Sequence, residues 1–335
     1  MKKKFLALAL TAVMALSLAA CGGDTQSTDT DADTSGDESA SGSQTYTVGI
    51  IQQVQHETLD AATQGFQDAL TELLGDSVTI APQNASGDTA NCTTIANNFV
   101  SQGVDLIMAN GTTALQAAAT GTSTIPILGT SITEYGVALG IDGFTGTTGY
   151  NVSGTSDLAP LDQQAEMLHT WFPDAQTVGL LYCSAEPNSQ YQVDTVQGYL
   201  EDLGYTCTQY SFSDSNDLSA VASSACTASD VLYVPTDNTA ANNAELIGNI
   251  SLDTGTPIIA GEEGICKGCG VATLTISYYD IGYKTGEMAY DILVNGADPA
   301  TMPIEYAPQF TPKYNPTMCE ALGLTPPDGY EAIAE

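Results

Sequence analysis

The stretch VLYVPTDNTAANN, residues 231–243, ends a β-prone apolar run on Pro235 and then presents Asp237, Asn238 and Thr239 ahead of a helix-like segment. One polar residue suffices to cap a helix; three in succession leave donors and acceptors for something else. The pattern recurs. Gln55-His56-Glu57-Thr58 follows the apolar run 46–54, and Gly111-Thr112-Thr113 follows 104–110 and opens a helix. Ser131-Ile132-Thr133-Glu134 closes 125–132, and Ser184-Ala185-Glu186-Pro187-Asn188-Ser189 closes 177–183. Helix capping accounts for any one of these residues but poorly for five clusters together. A helix start such as 111–113 also attracts a carboxylate through its free N–H groups and dipole.

The elements that must position these groups alternate along the chain. Strands are expected at 46–54, 78–82, 104–110 and 125–132, with helices near 58–74, 89–102 and 112–120. The alternation restarts with strands at 177–183, 206–212, 231–235 and 257–260, separated by helices near 160–171, 188–203, 217–226 and 240–252. A further strand (271–277), a helix (about 279–295) and an extended piece (302–308) follow. Strand–helix alternation specifies βαβ units and parallel sheets. The expected fold is α/β, with two Rossmann-like lobes. The first comprises 45–153 plus about 278–300, and the second 154–277 plus about 301–335. GYNVSGTSD, 149–157, reads as the crossover or hinge between them. Ligands bind beyond the carboxyl ends of strands in such sheets, which is where the five polar clusters fall.

The amino-terminal residues MKKKFLALALTAVMALSLAAC pair three lysines with an apolar run, Phe5 to Ala20, and close on small residues. That run is shorter than the roughly 20 residues of a membrane-spanning helix. Leu18-Ala19-Ala20-Cys21 matches a bacterial lipoprotein signal, so 1–20 is expected to be removed and Cys21 lipidated. Residues 21–44, with six acidic side chains after the cysteine, read as a disordered linker of roughly 25–30 Å reach. The expected location is outside the cytoplasmic membrane, tethered by lipid.

Beyond residue 21 the chain holds 40 Asp and Glu, three lysines and no arginine, a formal charge of −37. Phosphate recognition needs Lys and Arg, so nucleic acid and anionic lipid are excluded as partners. Seven cysteines follow Cys21, an odd number that leaves at least one free within a monomer. Cys266-Lys-Gly-Cys269 sits in a glycine-rich segment read as a loop holding a local disulfide or two free thiols. No second C-x-x-C or nearby histidine completes a metal site. G-x-S-x-G, H-E-x-x-H, P-loop and G-x-G-x-x-G signatures are all missing, which argues against an enzyme and against a cofactor. His56 and His169 are the only histidines; the first stands at a strand end, the second on a helix beside Trp171.

Residues 154–192, 234–243 and 270–293 resemble the ABC-transporter substrate-binding lipoproteins of the tryptophan/tyrosine-binding type. The likeness is carried by Ser156-Asp157 with Pro160 and Gln164, by Leu181-Tyr182 with Glu186-Asn188-Ser189, by Pro235 with Asp237-Asn238-Thr239, and by the His56–Asp60 stretch. It runs from residue 46 to about 330. It implies a type I periplasmic-binding-protein architecture: two lobes joined by three crossovers, closing as a monomer on a small molecule that is handed to a membrane permease. An amino-acid ligand then needs a negative group for its ammonium and donors for its carboxylate. Asp237 is the expected ammonium partner, with Asp157 and Glu134 as rivals. Thr112, Thr113, Asn188 and Ser189 are expected at the carboxylate, and His56, Thr58, Glu186, Asn238 and Thr239 complete the expected binding set. Glu57 and Glu134-Tyr135 depart from the family pattern, where proline and an aspartate–proline pair are common. A nucleoside ligand, or a sensory role beside a membrane kinase, is the alternative to import of an aromatic amino acid.

Overall fold

A computed structural model describes residues 44–334. The signal segment, Cys21 and all but the last residue of the linker lie outside the described residues. The first half runs β1 (Tyr46–Gln52), α1 (Glu57–Leu74), β2 (Val78–Asn84), α2 (Thr89–Gln102), β3 (Leu106–Asn110), α3 (Thr112–Gly121), β4 (Ile127–Ile132), a short α4 (Tyr135–Leu139) and β5 (Val152–Ser156). The second runs α5 (Leu161–Trp171), β6 (Thr177–Cys183), α6 (Pro187–Asp202), β7 (Thr206–Phe212), α7 (Ser215–Ala228), β8 (Val231–Val234), a short α8 (Asn238–Asn242), α9 (Ala244–Thr254), β9 (Ile258–Ala260), α10 (Glu263–Cys269) and β10 (Ala272–Thr275). The chain ends with α11 (Tyr278–Leu293), β11 (Glu305–Tyr306), β12 (Thr311–Tyr314), α12 (Pro316–Leu322) and β13 (Glu331–Ala332).

The strands form two sheets, ordered β11-β5-β4-β3-β1-β2 and β13-β12-β10-β9-β8-β6-β7. Only β12 pairs antiparallel, against β10. The chain passes between the sheets three times: after β5, after β10 and after β11. Alternation along β1 explains the layering. Val48 and Ile50 face a core with Phe66 and Leu70 of α1 and Met288 and Ile292 of α11, while Ile51 faces Phe99 of α2 and Leu115 of α3. In the second sheet Leu180, Val231 and Tyr233 meet α5 and α6, whereas Leu181, Leu232 and Val234 meet α7, α9 and α10.

Three expectations need correction. Residues 152–156 form a buried strand of the first sheet, not a linker, and carry that lobe past the expected boundary at 153/154. Their small residues are packing demands: a Cβ on Gly154 would overlap the Gly129 carbonyl, and Thr155 Oγ1 lies 2.8 Å from Thr285 Oγ1 of α11. Next, β11 joins the first sheet through β5, although residues from about 301 onward were assigned to the second lobe. Two residues of pairing are too few to read from alternation. Finally, GICKGCG is mostly the helix α10, started by the Glu262 side chain; Cys266 and Cys269 are buried free thiols within it.

Helices α1 and α11 approach closely because both carry glycine at the crossing. A Cβ on Gly282 would overlap the Ala62 carbonyl, whereas Gly198, exposed in α6, faces open space. Gly282→Ala is expected to cost about 3 kcal/mol through overpacking against backbone, lowering the melting temperature by roughly 6–10 °C. Gly198→Ala is expected to raise stability by up to about 1 kcal/mol. Thermal unfolding of the two variants checks both; a neutral Gly282→Ala would contradict the packing described.

Candidate functional site

The carboxyl ends of β1, β4, β5, β8 and β9 meet across the gap between the two sheets. The helices that follow begin there, and each start must satisfy free N–H groups. Helix α8 begins at Asp237, whose Oδ1 accepts from Ala240 N at 2.8 Å and whose Oδ2 accepts from Cys183 N at 2.7 Å. Asn238 N and Thr239 N donate to the Glu186 carboxylate at 3.1 and 2.8 Å. Glu262 accepts from Gly264 N at 2.7 Å at the start of α10 and from Thr58 Oγ1 of the opposite lobe at 2.8 Å. The Gln53 side chain fills the start of α3, accepting from Thr113 N at 2.9 Å. At α1 the N-cap, His56, makes no side-chain capping bond, nor does Pro160 at α5, so the first N–H groups of these helices carry no side-chain cap.

Four carboxylates are almost fully buried here: Asp157, Glu186, Asp237 and Glu262. Glu186, Asp237 and Glu262 each have both oxygens engaged. Asp157 is engaged on one side only. Its Oδ2 accepts from Tyr278 OH at 3.0 Å, and its Oδ1 has no partner. Burial pushes the Asp157 carboxyl up to about 6, with the Tyr278 hydrogen bond opposing. Burial, then the neighbouring Glu186, pushes Asp237 up to about 7.

A small cavity lies among these groups, with His56, Ser131, Thr133, Asp157, Asn188 and Asn238 in its wall. Its volume is about 10 Å³, room for one water-sized group. Seven buried side-chain polar atoms lack a partner among the described residues, and four of them belong to this wall: His56 Nδ1, Ser131 Oγ, Asp157 Oδ1 and Asn188 Oδ1. Ser131 also holds a left-handed backbone, φ 54°, a strain tolerated where function requires it.

The hydrogen-bond network fixes what these atoms offer. Asn188 Nδ2 faces Thr236 O at 3.2 Å and Glu186 Oε2 at 3.5 Å, both acceptors, so Oδ1 is turned to the cavity. Asn238 Nδ2 donates to Glu186 Oε2 at 2.8 Å, which turns Asn238 Oδ1 to His56 Nε2 at 3.3 Å. An acceptor there assigns a proton to Nε2, which in the neutral form of the ring leaves the lone pair on Nδ1. Asp157 Oδ1, Asn188 Oδ1 and His56 Nδ1 are therefore three acceptors around a water-sized hole. A primary ammonium offers three donors in that volume.

Of the residues expected from sequence, His56, Thr58, Asp157, Asn188, Asp237 and Asn238 line this cavity. Glu186 and Thr239 stand behind it and orient Asn238. Ser189 is fully buried beside Asn188. Thr112, Thr113 and Glu134 are outside its wall. Thr112 and Thr113 start α3 under Gln53, and Glu134 caps α4 through Val137 N. Sequence reading missed Thr236 and Glu262. Glu262 follows the three-residue strand β9, and its place in the familiar strand-end pattern was the available signal.

The family model described as ABC transporter substrate binding protein matches residues 47–334. The chain belongs to that family. A tyrosine-binding protein of Clostridioides difficile is 37% identical, the alignment covering 73% of this chain and 72% of that protein. Among solved structures, an ABC domain from Streptococcus pneumoniae in complex with L-Trp superposes with a TM-score of 0.82 at 29% identity, covering 87% of this chain and all of that one. A ligand-free, open substrate-binding protein from Clostridium difficile, with adhesive properties, gives 0.66 at 36% identity, covering 86% of this chain and 99% of that one. The more similar sequence is the less similar shape. The architecture is that of type I periplasmic binding proteins, and the family consists of binding proteins, not enzymes.

Because Asp157 has its carboxyl raised from 3.8 to about 6, the folded state takes up a proton that the unfolded chain releases between those values. The raised value costs the unliganded protein stability as pH rises through that window and nothing below it. Asp157→Asn is therefore expected to be more stable than wild type at pH 7.5 by about 3 kcal/mol, and indistinguishable near pH 3.5. Urea unfolding of both proteins across this range gives the difference; a constant difference would remove Asp157 as the uncompensated acid.

Proposed function

We propose that this protein is the extracytoplasmic binding component of an ABC importer, capturing an aromatic amino acid between its lobes and delivering it to a membrane permease. Residues 1–20 serve as its export signal, Cys21 as its lipid anchor, and 21–44 as a tether that lets a monomeric binding domain diffuse near the permease. The observation that carries the ligand class is the set of three acceptors, Asp157 Oδ1, Asn188 Oδ1 and His56 Nδ1, around a hole the size of one ammonium. The uncapped start of α1 beside it supplies N–H groups to the α-carboxylate, in place of the arginine that the chain lacks. Asp157 thus takes the ammonium role for which Asp237 was the first candidate, since both Asp237 oxygens already hold backbone N–H groups. Tyrosine and tryptophan are favoured by the relatives that bind them.

Calorimetric titration at pH 7.5 with tyrosine, tryptophan and their N-acetyl derivatives tests this. Acetylation removes the charge and two donors, so the parent amino acids are expected to bind and the derivatives to lose at least about 100-fold. Asp157→Asn is expected to lose a similar factor. Undiminished binding of the N-acetyl compounds would rule out the ammonium hole, and a response to nucleosides alone would replace the ligand class.

A further inference from the structure

Tyr278 is the first residue of α11, reached where the chain returns from the second sheet to the first. Asp157 follows β5, where the chain first leaves that sheet, and its N–H donates to Ile132 O of β4 at 3.2 Å. The 3.0 Å bond from Tyr278 OH to Asp157 Oδ2 therefore ties two crossing segments at their first-lobe ends, and separation of the lobes does not have to break it. Among the described residues it is the sole hydrogen bond to the Asp157 carboxylate. Both side chains are buried, at 6% and 4% exposure. Tyr278 also stands in the walls of both the small hole and a separate cavity of about 780 Å³. One residue thus helps to cover the acid and supplies a hydrogen bond in place of water.

A carboxyl group turns easily about its Cβ–Cγ bond, and a strong partner on one oxygen fixes where the other points. Resting on the reading of the hole as an ammonium site, we propose that Tyr278 is a positioning residue for ligand capture: its hydroxyl turns Asp157 Oδ1 into the hole and holds the acid as the anion that an ammonium needs. A hydrogen bond to the charged form favours that form, and this one opposes the burial that raises the Asp157 carboxyl to about 6. Without it the acid keeps its proton to higher pH, and the hole presents an O–H where the ligand brings N–H donors. Other titratable groups face Asp157: His56 at the start of α1, Tyr135 of α4, Asp237 ahead of α8 and Glu262 ahead of α10. Tyr278→Phe removes one oxygen and leaves all four in place, so comparison of the variant with wild type isolates the hydroxyl. The variant also keeps the ring and its packing against Ala62 and Ile281.

Calorimetric titration of wild type and Tyr278→Phe with tyrosine and tryptophan, from pH 6 to pH 8.5, tests the assignment. Loss of a hydrogen bond to a charged group is expected to move the acid up by about one to two pH units. The variant is therefore expected to bind at least about 5-fold more weakly than wild type at pH 6, and within about 2-fold of it at pH 8.5. A loss by the same factor at every pH would reveal a merely structural role and overturn the proposal, as would unchanged affinity throughout. Urea unfolding of the two unliganded proteins supplies a second readout. A raised acid costs stability as pH rises through its folded value, so the deficit of Tyr278→Phe against wild type is expected to widen between pH 5 and pH 8.5. A deficit independent of pH would overturn the proposal. Should neither amino acid bind wild type while the deficit widens, the amino-acid reading falls and the hold of Tyr278 on the acid is upheld.

Discussion

A carboxylate buried without a cation has to be held by N–H and O–H donors, and the cleft of this protein is organised around that requirement. With no arginine in the chain and three lysines among the described residues, each already paired with a glutamate, the strand ends recruit helix starts instead. Glu186 collects the first N–H groups of α8, Asp237 ties α8 to the end of β6, and Glu262 caps α10 while reaching Thr58 across the gap. Each carboxylate pins a loop whose neighbour lines the site. Asn238 shows the consequence: its backbone and side chain both donate to Glu186, and this turns its carbonyl to His56 and sets the histidine tautomer.

Much of this was legible in the sequence because strand ends announce themselves. VLYVPTDN is a fully buried strand followed by a cap, and the neighbouring runs showed the same switch from apolar to polar. Two sheets and three crossings followed from the count of βαβ units and from the family likeness. Roles within the clusters were not legible. Asp237 and Asp157 are the same residue type at equivalent strand ends, and what separates them is whether a backbone N–H happens to face the second oxygen. Thr112-Thr113 looked like an anion site until Gln53, 60 residues away from Thr113, turned out to fill it. Glu262 was missed although its strand was expected at 257–260, because nothing in the sequence shows that its carboxylate reaches Thr58 of the other lobe. Small residues misled at 152–156, where Gly154 marks close packing against Gly129 of β4 and Thr155 packs on α11, and not a flexible link.

The lobes touch across the cleft through few bonds. Thr58 to Glu262 and His56 to Asn238 are single hydrogen bonds, and Lys267–Glu57 is an exposed ion pair of the kind worth about 0–1 kcal/mol. Against this small gain stands the cost of closing an empty site. The second lobe completes the wall around Asp157 with Asn188, Thr236 and Asn238, removing water from a carboxylate oxygen that nothing replaces. Closure without ligand therefore exchanges a weak set of contacts for an unsatisfied charge.

On the proposed reading, a ligand ammonium reverses that balance at one point. It gives Asp157 a counter-charge and gives Asn188 Oδ1 and His56 Nδ1, one from each lobe, the donors they lack. A ligand shifts a conformational equilibrium only by its differential affinity for the two states. Here the differential resides in atoms that are adequately hydrated when the lobes are apart and stranded when they meet. Tight interlobe packing would have made the closed form the resting state and raised no signal when ligand arrived. On that reading, weak packing combined with one uncompensated carboxylate would make closure conditional on the ligand.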